Sequence, residues 1–374
     1  MSKALPQLAE LVERIKTAAS AGIPLRTRGG GTKDFYGQSL LGEILDTTGL
    51  RGITSYEPSE LVVTVKAGTS LAELEAVLAE KNQCLPFEPP HFSTGTTVGG
   101  MVAAGLSGPS RANSGSVKDF VLGVNMVNGK GEELHFGGTV MKNVAGYDVS
   151  RLMAGSMGTL GLITEVSLKV LPIAPAEATL KFECSQSEAL NMLNAWGAQP
   201  LPLNASCWIH EAGVGTLYVR LRGAVASVDA AVKKMGGKLQ DAAAGNATVA
   251  ADWQALRNQN SQTMNFFKLQ GDECLWRLSV PDSAPDLQLG ETLVEWHGAQ
   301  RWVKLPYNAV EHIRGEVNKL AGNAILFIAN EAIITPALEV FSPLKASLNR
   351  IHRELKRQFD PASIFNRGRM FTEM

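Results

Sequence analysis

The chain has 374 residues, with 35 Lys plus Arg against 36 Asp plus Glu and a formal charge of −1. That length favours two domains, or one with a long insertion, and the balanced charge excludes the basic footprint of a nucleic-acid binder. The longest apolar runs, Met101–Leu106 and Ile325–Ala329, fall far short of the roughly 20 residues that span a bilayer.

Met1–Gly22 reads as an amphipathic helix with Leu8, Leu11, Val12 and Ile15 on one face. Acidic residues lie among them, unlike a secretory signal, so a cytoplasmic chain is expected. Pro24–Thr27 reads as a short strand running into a glycine stretch, Arg28-Gly-Gly-Gly-Thr32. Ile53–Tyr56 and Leu61–Lys66 are β-like, and a helix is expected over Leu71–Lys81, with Ser70 and Glu73 at capping-box spacing. A second glycine stretch, Thr94-Gly-Thr-Thr-Val-Gly-Gly100, follows. Val121–Val127 and Glu133–Phe136 flank Asn128-Gly129, a hairpin signal. A third stretch, Gly155-Ser-Met-Gly-Thr-Leu-Gly161, opens the β-like run Leu160–Leu171, which Pro172 ends.

After Pro172-Ile-Ala-Pro175 the pattern changes. Thr179–Cys184, Cys207–His210, Leu217–Leu221 and Cys274–Val280 read as strands, interleaved with helices near Ser187–Trp196, Val225–Met235 and Asp252–Ser261. That alternation predicts an antiparallel sheet covered by helices on one face. Ala242–Ala251 reads as a flexible loop, and Leu338 to Phe359 as a basic amphipathic helix with Leu344, Leu348, Ile351 and Leu355 on one side. The fold class is therefore α+β, with expected units at residues 1–172, 173–335 and a returning tail at 336–374.

Glycine lets a backbone approach a ligand closely and lets successive N–H groups point the same way, as a diphosphate requires. Three such stretches in one half suggest one extended ligand. Gly129-Lys130 lacks the Ser or Thr of a P-loop, and Gly29-x-Gly31 continues to Asp34 where a dinucleotide fingerprint needs glycine. Cys84, Cys184, Cys207 and Cys274 form no close pair, and the six histidines form no HxH or HxxxH pair. Neither an iron–sulfur cluster nor another metal is therefore expected.

The segments Pro24–Thr32, Thr97–Gly100, Gly115–Gly123, Lys142–Asp148 and Gly158–Thr164 resemble, in order and spacing, the FAD-binding domain of the vanillyl-alcohol oxidase/p-cresol methylhydroxylase (PCMH-type) family. The tail Phe359–Arg369 resembles the family's closing segment, with Arg367 where proline is usual. Cys84–His91, Gly99–Pro109 and Phe136–Asp148 further resemble the FAD-binding subunits of bacterial three-subunit glycolate oxidases (glycolate dehydrogenases).

The resemblance implies glycolate oxidation to glyoxylate with two partners, a larger flavin subunit and an iron–sulfur subunit, and with any attachment to the inner face of the cytoplasmic membrane made through that complex. It assigns Arg28, Gly29, Gly30, Gly31 and Thr32, with Thr94, Gly95, Thr96, Thr97, Gly99 and Gly100, to the diphosphate and ribityl portion of FAD. Gly115, Ser116, Asp119 and Val121 go to the flavin side, and Gly158, Thr159, Gly161 and Ile163 to the adenosine. Thr32 and Gly95 stand where relatives carry a flavin-linked His or Cys, so noncovalent FAD is expected. The HxGDGNxH motif of hydroxy-acid-oxidising relatives is absent, leaving no catalytic base to name and pointing to substrate oxidation on the partner. Lys142, Tyr147 and Asp148 read as anchors near the flavin in preference to catalytic groups, and Arg369 as a solvated arginine, with approach to the isoalloxazine ring, where its charge would stabilise reduced flavin, as the alternative. The alternatives are an assembly subunit with a structural FAD, and a free-standing FAD oxidoreductase of another 2-hydroxy acid.

Overall fold

In a computed structural model, residues 6–38, 40–139, 147–211, 213–240, 248–330 and 338–371 are described. The opening helix spans Pro6–Ala21 and stops at Gly22, whose φ of +67° suits glycine. Leu11, Val12 and Ile15 bury its apolar face against Leu25 and Leu45. Leu25–Arg28 pairs in parallel with Glu43–Asp46. On its other side Leu25 bridges Phe365 in parallel, so the C-terminal tail closes beside the first glycine stretch.

A five-stranded antiparallel sheet follows in the order Ile53–Glu57, Val62–Lys66, Leu162–Lys169, Val121–Val127 and Glu133–Gly137. The helices Leu71–Ala79 and Val98–Ala104 pack on it through Leu71, Leu74, Leu78, Val98, Met101 and Val102. Ser70 caps the first of these by position, but its side chain makes no capping bond. Capping boxes form instead at Ser116/Asp119 and Ser185/Glu188.

The second sheet has eight antiparallel strands: Lys238–Gln240, Ala176–Glu183, Val214–Gly223, Leu203–Glu211, Thr292–Glu295, Gln300–Pro306, Glu273–Ser279 and Asn323–Ile328. Three helices, Gln186–Gly197, Val225–Met235 and Val310–Lys319, cover one face. The fourth, Val249–Arg257, lies on the opposite face with Phe266, Phe267 and Trp302, where Tyr36 and Leu106 from the glycine-rich half also pack. Residues 249–251 are thus helical rather than part of a loop, while 241–247 lie outside the described residues. Of the six tryptophans, five are buried and Trp196 stacks obliquely on Phe182.

The two sheets are joined by buried ions. Glu88 pairs with Arg220 at 2.6 Å and with Arg222 at 3.2 Å. Burial pushes the Glu88 carboxyl up, but the two guanidiniums outweigh it and hold its pKa below the ordinary value. Nearby, Arg257 reaches Glu75 at 2.5 Å.

The final helix begins at Ala346, not near Leu338. Leu338 and Val340 are extended and buried, with Phe341 bridging Ile325, and Pro343 disfavours helix in the residue before it. Leu348 and Ile351 remain exposed, whereas Lys356 on the same helix is buried.

Candidate flavin site

The three glycine stretches meet. A Cβ on Gly30 would overlap the Gly95 carbonyl oxygen, and one on Gly29 would overlap the Thr97 hydroxyl, so the first two stretches lie backbone against backbone. Thr32 and Thr96 share a hydroxyl hydrogen bond of 2.9 Å across that contact. Gly158, with φ of +70°, brings the third stretch against Thr27 and against Asn366 Nδ2, which a Cβ would approach to 2.7 Å. The Met157 and Gly155 amides donate to the Ala103 and Val102 carbonyls, fixing this stretch to the helix that follows the second.

Two narrow slots result, of about 100 and 50 Å³, both lined by Thr27, Arg28, Gly29, Gly100, Ala103 and Gly158. The first adds Gly30, Gly31, Thr32, Lys33, Thr97 and Met157. The second adds Thr47, Ala67, Gly99, Gly161, Leu162 and Ile163. Each is smaller than an enclosing small-molecule pocket, and together they form a strip shaped for an extended ligand rather than a compact one. Glycine backbone and small side chains along that strip fit a dinucleotide's diphosphate and sugars, which a row of Cβ atoms would exclude.

Of the residues assigned from sequence, Arg28–Thr32, Thr97, Gly99, Gly100, Gly158, Gly161 and Ile163 line the slots. Gly95, exposed, backs Gly30 through its carbonyl and buried Thr96 bonds Thr32 without lining the slots, and Thr94 opens onto a neighbouring cleft with Thr32 and Phe92. Thr159 is buried, its hydroxyl donating to the Ser156 carbonyl. Gly115, Ser116, Asp119 and Val121 do not line the slots: the Ser116 amide and hydroxyl both donate to Asp119, and Val121 belongs to the five-stranded core. Lys142 lies outside the described residues, Tyr147 is 95% exposed, and Asp148 accepts from the Arg151 amide.

Two tail residues reach the site. Asn366 accepts from the Thr27 amide at 2.8 Å and donates to the Met157 carbonyl at 2.6 Å, clamping the first and third stretches. Arg369, expected in solvent, is buried. It donates to the backbone carbonyls of Gln38, Lys33, Asp34 and Tyr36, and burial lowers its pKa to about 10. The only sequence signal for either was their place in the closing segment. Their targets lie more than three hundred residues away for the first stretch, beyond any local pattern.

A third cavity, of about 480 Å³, lies on the face of the eight-stranded sheet that carries Val249–Arg257. Its charged or titratable lining includes Asp252, Glu291 and His210, beside Trp253 and Phe266. His297, in the turn Trp296–Gly298 between two strands of that sheet, is half-buried with its Nε2 2.6 Å from Asn113 Nδ2, and burial lowers its pKa to about 4.

Comparison with known proteins agrees with this geometry. The FAD binding domain family matches residues 6–150. The glycolate oxidase subunit GlcE of Escherichia coli (strain K12) is 44% identical over 97% of this chain and 97% of its own length. Two other relatives match over about half the chain. Glycolate oxidase subunit GlcD of Bacillus subtilis (strain 168) is 30% identical over 47% of this chain and 38% of that protein. D-lactate dehydrogenase of Anaerostipes hadrus is 34% identical over 44% of this chain and 34% of that protein. Among solved structures, alkyldihydroxyacetonephosphate synthase superposes with a TM-score of 0.67 at 15% identity, over 96% of this chain and 75% of that one, which shows the shared fold.

Fold, glycine-lined strip and family match together define an FAD-dependent oxidoreductase of the PCMH type. Within that class, the chain belongs to the family of the glycolate oxidase subunit GlcE. Among the described residues, no helix is long and apolar enough to cross a membrane.

Proposed function

We propose that this chain is the FAD-carrying subunit of a multi-subunit glycolate oxidase or dehydrogenase in which a larger flavin subunit oxidises glycolate to glyoxylate. In this reading FAD supplies electron acceptance and relay, passing electrons toward an iron–sulfur subunit on the cytoplasmic side. The slot-lining residues hold it noncovalently, with Thr32 and Gly95 at the positions where a covalent link would form. Residues 1–172 act as the FAD-binding unit, 173–335 as the second unit, and 336–374 as the tail that returns to clamp the strip.

The observation that favours relay over substrate oxidation is the charge of the 480 Å³ cavity. Its described lining includes Asp252 and no Lys or Arg, while Glu291 is paired with Lys304 at 2.9 Å, so the carboxylate of a 2-hydroxy acid meets an anion and no free cation there. Arg257 is turned away from that role by Glu75 and by the Pro89 carbonyl.

Rapid mixing tests the division of labour. The purified chain loaded with FAD should stay oxidised in glycolate, while the assembled complex bleaches. Bleaching of the isolated chain at the complex's rate would show that substrate is oxidised here. A flavin on this chain that keeps one redox state throughout turnover of the complex would assign it a structural role. Acid precipitation should leave a colourless protein pellet.

A further inference from the structure

Lys33 follows the first glycine stretch and lines the same slot as Gly29–Gly31. Its ammonium lies 3.3 Å from the Thr32 hydroxyl and 5.6 Å from the centroid of the Phe92 ring. Among the described residues no carboxylate pairs with it. Asp34, on the same loop, is held by Arg28 at 2.9 Å. Glu75, across the adjoining cleft, is held by Arg257 and by His91. Arg369, packed beneath the loop from the tail, spends its guanidinium on backbone carbonyls, one of them that of Lys33 itself. Tyr36 accepts from Arg369 through its backbone carbonyl.

Burial strips water from this ammonium and lowers its pKa to about 8, with no protein anion in return. A buried charge is unfavourable unless an opposite charge meets it. The slot it lines is the one assigned to a diphosphate, whose two negative charges the glycine amides meet with partial charges; of the other cations lining that slot, Arg28 is paired with Asp34 and Arg369 is engaged by backbone carbonyls.

We propose that the Lys33 ammonium is the counter-ion of the FAD diphosphate, an inference that rests on the assignment of this slot to FAD. It makes Lys33 a binding residue with a preference for diphosphate-bearing ligands, beyond what the glycine backbone provides.

The test uses the full-length chain, stripped of flavin and titrated with FAD, ADP and riboflavin. Lys33→Gln is expected to weaken FAD and ADP roughly ten- to a hundredfold, as for a charge-assisted contact, and to leave riboflavin unchanged. Lys33→Arg should restore most of the loss. Wild-type affinity for FAD should fall as pH rises above about 8, where the free ammonium loses its proton, and the Gln variant should lack that fall. The unfolding midpoint of the flavin-free Gln variant should equal or exceed wild type, since an unpaired buried charge is removed. Equal FAD and ADP affinities in wild type and Lys33→Gln overturn the proposal. So does a loss shared by riboflavin, or a changed flavin potential at constant affinity. A wild-type chain that takes up no FAD overturns the underlying assignment instead.

Discussion

Lys356 and Asp360 form a buried ion pair, 2.8 Å apart and one helical turn from each other, behind the third glycine stretch. The same ammonium donates to the carbonyls of Thr159 and Phe365, and Asp360 accepts from the amides of Ile364 and Phe365. The pair therefore holds the terminal helix, the tail strand and the glycine stretch in one register. Lys356→Met is expected to leave Asp360 buried without a cation and to cost about 3–5 kcal/mol. Urea unfolding should show the drop, and flavin occupancy should fall with it.

Asn366 serves the same junction from the ligand side. Asn366→Ala removes the acceptor for Thr27 N–H and the donor to Met157, and strains a backbone at φ of +40°. We expect about 2 kcal/mol of lost stability and weaker FAD binding. Asn366→Gly relieves the backbone but not the hydrogen bonds, so its stability loss should be smaller at an equal loss of affinity. Thermal unfolding and FAD titration of the two variants separate these effects.

Gly30 and Gly100 separate packing from ligand contact. A methyl at Gly30 overlaps the Gly95 carbonyl and must push two backbones apart, whereas one at Gly100 meets only the Thr97 hydroxyl, at 3.1 Å. Gly30→Ala should lower the unfolding temperature, by an overpacking cost of about 1–3 kcal/mol, and yield protein without flavin. Gly100→Ala should unfold near wild type yet bind FAD more weakly, because Gly100 lines both slots. Equal stability of the two variants would contradict the contact between the first and second stretches.

Two groups shifted by burial give stability an unusual pH profile. Burial raises the Glu295 pKa from 4.5 to about 7, against hydrogen bonds from Trp302 and Gln300 that lower it. Its contribution is complete below about 4.5 and is lost as pH rises through 7, at a cost of about 3 kcal/mol. His297, lowered by burial from 6.5 to about 4, behaves oppositely: its contribution is complete above 6.5 and is lost as pH falls through 4. Between roughly 4.5 and 6.5 the two slopes oppose. Glu295→Gln should therefore be more stable than wild type at pH 8, and its urea midpoint should rise from pH 4 to 6.5 and then level. A variant that tracks wild type at every pH would place the titration elsewhere.

The glycine-lined strip was legible in the sequence because its signals are local. Gly31 and Gly158 have the positive φ that glycine permits, and Gly29 and Gly30 admit no Cβ. The hairpin at Asn128-Gly129 formed where the dipeptide indicated, with Asn128 accepting from the amides of Lys130 and Glu132. The strands Thr292–Glu295, Gln300–Pro306 and Asn323–Ile328 were not read, because the first is buried on both faces and the others alternate only in part. The start of the last helix was misplaced by several residues: Leu338 and Val340 alternate around exposed Glu339 as in extended chain, and Phe341 bridges Ile325, a long-range pairing that the helical spacing of Leu344, Leu348, Ile351 and Leu355 does not reveal.

By itself the sequence determined which backbone positions must be bare, and so where along the first half an extended ligand is to be sought. Backbone conformation and hairpin chemistry act over a few residues, and the chain carries them wherever it goes. Only the tertiary structure decided what closes the strip: Asn366 across Thr27 and Met157, Arg369 under the loop, Lys356 against Thr159, and an unpaired Lys33 in the slot. Those roles depend on which distant carbonyls and carboxylates burial brings within hydrogen-bond reach, and on which cation it leaves, among the described residues, without a carboxylate.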